Sequence, residues 1–244
     1  MKKQRVAIVI PTYNENENIV VLIKAIRAVV ADSTVIVVDD QSPDGTGKSV
    51  SKLAAKDQRV KLITNKKKNG RGAAVLHGFQ QIVKENVADV IIEMDADFSH
   101  RPEELPLLIE KVGQNQVALA SRYVKGGRTE NWSITRRIFS RCANWLIRFV
   151  LRLPLKDNTN GYRAYSKQAL QTLLKHHFLC SSYLVLSESA LILHRHHFIF
   201  CELPSVFPNR KLGSSNTNWQ EVVKNLAELK AISQMYASGC SCGN

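Results

Sequence analysis

The 244-residue sequence contains no apolar run near the roughly 20 residues that a membrane-spanning helix needs. Its longest apolar stretch, Trp145 to Leu155, is broken by Arg148 and Arg152. The first apolar run, Val6 to Ile10, is too short for the core of a signal peptide, so none is expected. Cysteine is scarce and odd in number: Cys142, Cys180, Cys201, Cys240 and Cys242, with no CxxC pair. That argues against a zinc site and a disulfide framework, and fits a reducing compartment. The terminal GCSCGN reads as a frayed end. No GxGxxG follows the first apolar run, and the basic loop around Gly70 and Gly72 lacks GK[ST]. A nicotinamide dehydrogenase and a P-loop NTPase are therefore disfavoured. No internal repeat and no Pro/Gly/Ser-rich linker divides the chain, so one domain with a C-terminal elaboration is expected. Negative charge is also short: Lys plus Arg outnumber Asp plus Glu 34 to 21, a net +13. Such a surface suits phosphorylated ligands, an anionic membrane or nucleic acid. The arginine clusters carry no aromatic stacking pattern, which weakens nucleic acid as a partner.

What is present is alternation. RVAIVIP, TVIVVDD, VKLIT, ADVIIEMD and QVALASR read as buried strands, the first stopped by Pro11. NIVVLIKAIRAVVA, GTGKSVSKLAAK, GAAVLHGFQQIVKE and PEELPLLIEKV read as the helices between them. This pace predicts βαβ units and an α/β fold on a parallel sheet. After about residue 125 the pattern changes. Trp132 to Leu153 predicts a long amphipathic helix, NTNGYRAYSKQAL a loop and then a helix, FIFCELPSVFPNR a late strand, and WQEVVKNLAELKAISQMY a last helix.

Two strands end on acids, Asp39-Asp40 and Asp95-Ala96-Asp97. In open α/β sheets ligands sit beyond the carboxyl ends of strands. A carboxylate at the first of these positions can accept hydrogen bonds from a ribose or base. In an extended segment Asp95 and Asp97 point the same way, with Ala96 turned aside. Two such like charges destabilise each other unless a cation lies between them. Alone, the pair reads equally well as a solvated acidic loop. Its place at a strand end and its basic surroundings select a hard divalent cation held by oxygen ligands.

Six segments in order, VIPTYNENENI, VVDDQSPDGT, EMDADFSHRPEEL, SRYVKGG, NTNGYRAY and FPNRKLGSS, resemble the dolichol-phosphate mannose synthase-like polyprenyl-phosphate glycosyltransferases. These are family-2 inverting glycosyltransferases of GT-A fold. The resemblance covers residue 5 to about 216. It implies a GT-A (Rossmann-like), mostly parallel sheet flanked by helices, with a nucleotide-sugar-binding half at 1–125 and an acceptor-binding half at 126–244. It implies a nucleotide-sugar donor with GDP-mannose favoured, Mg²⁺ or Mn²⁺, and a dolichyl or polyprenyl phosphate acceptor. Pro11, Tyr13, Glu15, Val38 and Asp40 match donor-binding positions. Asp95, Asp97 and Ser99 match the metal and diphosphate segment, with Ala96 contacting through its backbone. Arg122, Arg136 and Ser140 match the acceptor-phosphate group, and Arg210 a donor-phosphate residue on a closing loop. Asp97, Arg122 and Arg210 are the catalytic candidates. Two departures stand out: Asn216 where the family usually carries Lys, and Arg71 where an aliphatic residue is common. Lys211 is the substitute for the missing lysine, if there is one.

An acceptor phosphate is anionic near neutral pH, its second pKa being about 6. It needs positioning more than deprotonation, so no histidine base is expected from His77, His100, His194, His196 or His197. A rival, protein- or polysaccharide-directed transfer wants a carboxylate base, for which Glu188 is available. The residues also leave room for transfer from UDP-glucose or another UDP-sugar, and for a non-catalytic nucleotide-sugar or nucleic-acid binder. On the long helix, at about 100° per residue, Arg137, Arg141, Arg148 and Arg152 share one stripe. Ile138, Phe139, Cys142, Trp145, Leu146, Phe149 and Leu153 share the next. That pattern predicts either a core helix with a basic face or an interfacial helix on a membrane surface. The second reading places the protein on the cytoplasmic face of a membrane, held there directly or also by a membrane-anchoring partner protein.

Overall fold

The computed structural model describes residues 4–180, 184–208 and 219–237. The first half alternates as its sequence predicts: β1 (Val6–Thr12), α1 (Ile19–Val29), β2 (Thr34–Asp39), α2 (Thr46–Ala54), β3 (Val60–Thr64), α3 (Arg71–Glu85), β4 (Val90–Glu93), α4 (Leu105–Glu110) and β5 (Gln116–Ser121). A 3-10 turn at Pro102–Glu104 leads into α4. The second half adds β6 (Arg128–Glu130), α5 (Ile134–Leu151), β7 (Arg163–Ser166), α6 (Lys167–Leu173), α7 (Val185–Arg195), β8 (Ile199–Pro204), β9 (Val206–Pro208) and α8 (Trp219–Ala237).

Seven strands form one sheet in the order β3-β2-β1-β4-β7-β5-β8, and β6 pairs with β9 in a small second sheet. Every neighbour pair in the large sheet is parallel except those made by β7, which runs against both β4 and β5. The fold class is thus the expected α/β, mostly parallel sheet flanked by helices. β7 is the correction: NTNGYRAYSKQAL holds a central strand where a loop was expected, so the second half supplies an inner strand to the first half's sheet. The late strand also divides at Ser205, β8 staying in the main sheet and β9 leaving it.

Alternate residues of β1 feed two cores. Ala7 and Val9 pack with α3, α6, α7 and the end of α5, whereas Ile8 and Ile10 pack with α1 and α4. Gly78 lets α3 lie close on the sheet, since a Cβ there would come within 2.6 Å of Val9 Cγ1. Pro11 does not end β1. The ladder with β4 ends at Val9, and Pro11 stays in register with Val38 of β2. Its missing N–H therefore faces no strand on the β4 side, the setting in which a sheet tolerates proline.

The predicted strand ADVIIEMD ends at Glu93 rather than Asp95. The chain bends from Ala96 onward, and Phe98 takes a left-handed φ of 60°. Asp97 thus lies in a bend, with Asp95 just before it, and the two do not share, as expected, one extended segment. No described helix is long and apolar enough to cross a membrane.

Candidate active site

The parallel strands β1, β2, β4 and β5 bring their C-terminal ends to one edge, and the reversed β7 brings its N-terminal approach to the same edge. Pro11, Tyr13 and Glu15 follow from β1, Val38 and Asp40 from β2, and Asp95, Ala96, Asp97 and Ser99 from β4. Tyr13 is exposed, with the Lys68 ammonium 3.5 Å from its ring centroid. Glu15 receives a 3.0 Å bond from the Asn18 amide. Val38 is fully buried. The two acids after β2 divide their work. Asp39 holds its own turn through Thr12 and Ser42. Asp40 receives the backbone N–H groups of Asn69 and Gly70 at 3.1 and 2.8 Å, so it also shapes the loop before α3.

Asp95 and Asp97 are each engaged. Asp97 Oδ1 accepts from the N–H and the hydroxyl of Ser99, at 3.0 and 2.6 Å. Asp95 Oδ1 accepts from Nε of Arg71 at 2.8 Å, while Nη1 of Arg71 lies 2.6 Å from Glu93 Oε1. Burial opposes the Arg71 charge, but Asp95 and Glu93 together hold its pKa above the ordinary arginine value. The cation beside the first aspartate is therefore partly supplied by the protein. Asp95, Asp97 and Ser99 offer only oxygen donors, the set that Mg²⁺ and Mn²⁺ take. No cluster of three or more His, Cys, Asp or Glu placed for a metal occurs among the described residues. An ion held by these donors would need phosphate oxygens and water to complete its shell, as magnesium sites usually do.

His100 is buried under this segment, stacked on Tyr162 with ring centroids 4.8 Å apart. Its Nδ1 accepts the Asp95 N–H at 2.8 Å, and its Nε2 lies 2.9 Å from Asn160 Oδ1. The Asn160 amide NH₂ donates to Ala120 O, which leaves its oxygen facing the ring. The network fixes the neutral tautomer with the proton on Nε2. Burial likewise lowers the His100 pKa. His77 is tied to Asn65 at 2.7 Å, and His194, His196 and His197 are exposed on or just after the end of α7. Glu188 is buried and receives the N–H groups of Leu179 and Cys180, at 2.8 and 3.0 Å. It anchors that loop.

Around Trp132 the acceptor candidates gather. Arg122 lies 5.2 to 5.5 Å from the rings of Phe207, Tyr123 and Trp132. Arg136 stacks on Trp132 at 3.8 Å, and the Tyr123 hydroxyl donates to Ser140 Oγ at 2.6 Å. The buried indole N–H of Trp132 has no hydrogen-bond partner. Arg122 itself is committed: Nε and Nη2 grip Asp157 at 2.8 and 2.6 Å, and Nη2 also reaches Thr159. A cavity of about 380 Å³ opens beside it, lined by Arg122, Tyr123, Arg141, Asn144, Arg148 and Lys156. Asn144 pins α5 there, donating to Thr159 and accepting the Asn158 N–H.

Sequence reading missed Glu93, Asp157, Thr159, Asn160 and Trp132 as members of this edge. NTNGYRAY carried the signal for Asn160 but offers no pattern that names its partner. Arg71 was visible as a departure without a location. Arg210, Lys211, Asn216, Cys240 and Cys242 lie outside the described residues. On α5, Asn144, Ile147 and Leu151 face the core, while Ile138, Phe139, Trp145 and Phe149 are exposed with Arg137, Arg141, Arg148 and Arg152. Leu153 is the exception in the expected outer stripe, being buried beyond the helix end, and Leu146 leans on the core.

A protein-family model described as "Glycosyl transferase family 2" matches residues 7–174. A polyprenol monophosphomannose synthase from Mycolicibacterium smegmatis is 36% identical over 230 residues, covering 92% of this chain and 86% of its own length. An undecaprenyl-phosphate mannosyltransferase from Micrococcus luteus is 37% identical, covering 86% of each. A dolichol-phosphate mannosyltransferase from Pyrococcus furiosus is 38% identical over 172 residues, covering 68% of this chain and 47% of that protein. Among solved structures, glucosyl-3-phosphoglycerate synthase from Mycobacterium tuberculosis with Mn²⁺, UDP-glucose and phosphoglyceric acid aligns with a TM-score of 0.63. The identity is 18% and the alignment covers 99% of this chain and 81% of that one, a likeness of fold. With an acidic strand end and a cationic cavity along one edge of such a sheet, the chain belongs to glycosyl transferase family 2 and is a glycosyltransferase of GT-A fold.

Proposed function

We propose that the protein transfers mannose from GDP-mannose to a dolichyl or polyprenyl phosphate, with inversion at the anomeric carbon, at the cytoplasmic face of a membrane. The observation that carries this reading is one sheet edge with two chemistries: the Asp95–Ser99 segment after β4, and, after β5, a cationic cavity lined by Arg122 and by Arg141 and Arg148 of α5. The names of the M. smegmatis and M. luteus relatives support the mannosyl group and the polyprenyl phosphate. Structural neighbours crystallised with Mn²⁺ or Mg²⁺ support a divalent metal.

In this reading Pro11, Tyr13, Glu15, Val38 and Asp40 bind the nucleoside, and Asp97, with Asp95, Ser99 and the backbone of Ala96, holds the ion and the diphosphate. When bound, Mg²⁺ or Mn²⁺ supplies positive charge against the departing diphosphate. Arg136, Ser140 and the unpartnered Trp132 N–H orient the acceptor phosphate, with Arg122 contributing field from its pair with Asp157. One phosphate oxygen attacks the anomeric carbon as the bond to the nucleoside diphosphate breaks. The leaving group takes the electron pair, and no proton need move. Arg210 is assigned to the donor phosphate by resemblance alone. Trp145 and Phe149, 64% and 70% exposed and stacked on each other, enter the acyl boundary while the α5 arginines meet anionic headgroups.

The test is incubation with Mn²⁺, a polyprenyl phosphate and a panel of radiolabelled GDP- and UDP-sugars, followed by organic extraction. Label from GDP-mannose alone in the organic phase is the expected result. Transfer from a UDP-sugar instead overturns the donor assignment, and no transfer from any donor overturns the reaction.

A further inference from the structure

Arg71 stands at the start of α3, yet its guanidinium works at the end of β4. Nη1 lies 2.6 Å from Glu93 Oε1, and Nε and Nη2 lie 2.8 and 2.7 Å from Asp95 Oδ1. The arginine side chain is 14% exposed and that of Glu93 only 2%. Glu93 also accepts from the Tyr165 hydroxyl at 3.3 Å through its other oxygen. Across the cleft Gly161 makes room: a Cβ there would overlap Nη2 of Arg71. The guanidinium is thus boxed in. It cannot leave Glu93 without stranding a buried carboxylate, which is costly. The same fork keeps one oxygen of Asp95 engaged.

An ion entering beside Asp97 meets this arrangement. Glu93 and Arg71 offset each other, and Asp95 is shared with a fixed positive charge. We infer that Arg71 is a positioning residue that restrains Asp95 and weakens capture of a free divalent cation. Asp97 is then the main carboxylate ligand, and firm metal binding depends on the donor diphosphate. This rests on the metal-dependent transfer proposed for the site.

The experiment is Mn²⁺ titration, read from the EPR signal of free Mn²⁺, with and without GDP. Arg71→Leu releases Asp95 and removes one positive charge. Without nucleotide it is expected to bind Mn²⁺ about tenfold or more tightly than the parent protein, because a unit charge a few ångströms away weighs heavily in a partly buried site. With GDP present the gap narrows. Arg71→Lys, whose point charge cannot bridge both carboxylates, falls between them. If Arg71→Leu fails to fold, Arg71→Leu with Glu93→Gln removes both halves of the buried pair; its net charge is unchanged, so it is expected to tighten Mn²⁺ binding by a smaller factor, through the released Asp95 alone. Nucleotide-free Mn²⁺ binding by the folded variant that is unchanged or weaker overturns the inference. Asp97→Ala separates the two claims. If it abolishes Mn²⁺ binding in the presence of GDP, the metal reading stands whatever Arg71 does. If the parent protein and every variant fail to bind Mn²⁺, the metal reading and the inference both fall.

Discussion

Asp157→Asn isolates the buried ion pair at the acceptor side. The Arg122 and Asp157 side chains are 6% and 0% exposed, and the guanidinium is surrounded by Tyr123, Trp132 and Phe207. Burial opposes the Arg122 charge, and Asp157 more than offsets it. Asparagine keeps an oxygen for the Arg122 backbone N–H, which the aspartate accepts at 2.9 Å. It loses the second oxygen and the charge. Removing one partner of a buried pair costs about 3–5 kcal/mol. In a chain of this size each kcal/mol moves Tm by about 2–4 °C, so the drop is about 6–20 °C. Thermal unfolding by far-UV circular dichroism measures it. The double variant Arg122→Met with Asp157→Asn removes the stranded charge and is expected to recover more than half of the loss. A single variant within about 2 °C of the parent, or a double variant less stable than the single one, refutes the reasoning.

Asp97→Ala is expected to abolish transfer and metal-dependent donor binding while circular dichroism stays unchanged; near-normal turnover in chelator-treated buffer contradicts the metal role. Ser140→Ala and Arg136→Ala should raise KM for the polyprenyl phosphate about tenfold, as loss of a charge-assisted hydrogen bond does, and leave calorimetric GDP binding within about twofold. A large loss of GDP binding in both assigns them to the donor instead. Arg141, Arg148 and Arg152 changed together to Glu should release the protein from anionic liposomes in flotation, since each basic residue near an anionic leaflet contributes on the order of 1 kcal/mol. Because Arg141 and Arg148 also line the cationic cavity, Arg137→Glu with Arg152→Glu, outside that lining, is the variant expected to keep activity on a short, water-soluble prenyl phosphate. Flotation like that of the parent returns α5 to a purely structural role.

Much of this protein is legible in its residues taken in order. Val6–Ile10, Val35–Val38 and Val90–Ile92 are apolar without interruption, and only a strand covered on both faces needs that. Acids after two such strands mark the edge where a ligand sits, and the arginine stripe of α5 follows from helical periodicity alone. Tertiary structure decided what period cannot carry. β7 reads as loop because its four residues are Arg-Ala-Tyr-Ser, and Arg163 would ordinarily forbid burial. It is tolerated because the carbonyls of Asn158, Asn160 and Leu186 receive its guanidinium, and those partners come from two separate segments. The same limit holds at the site. Asp95 reads as half of a metal pair, but Arg71 reaches it from 24 positions away. Arg122 reads as a cation for the acceptor, but Asp157 claims it from 35 positions away. Local sequence sets which face of an element is apolar and where its ends carry charge. Which charges meet is settled only when the sheet order brings distant segments together, because the energy of a buried pair depends on partners that no local pattern records.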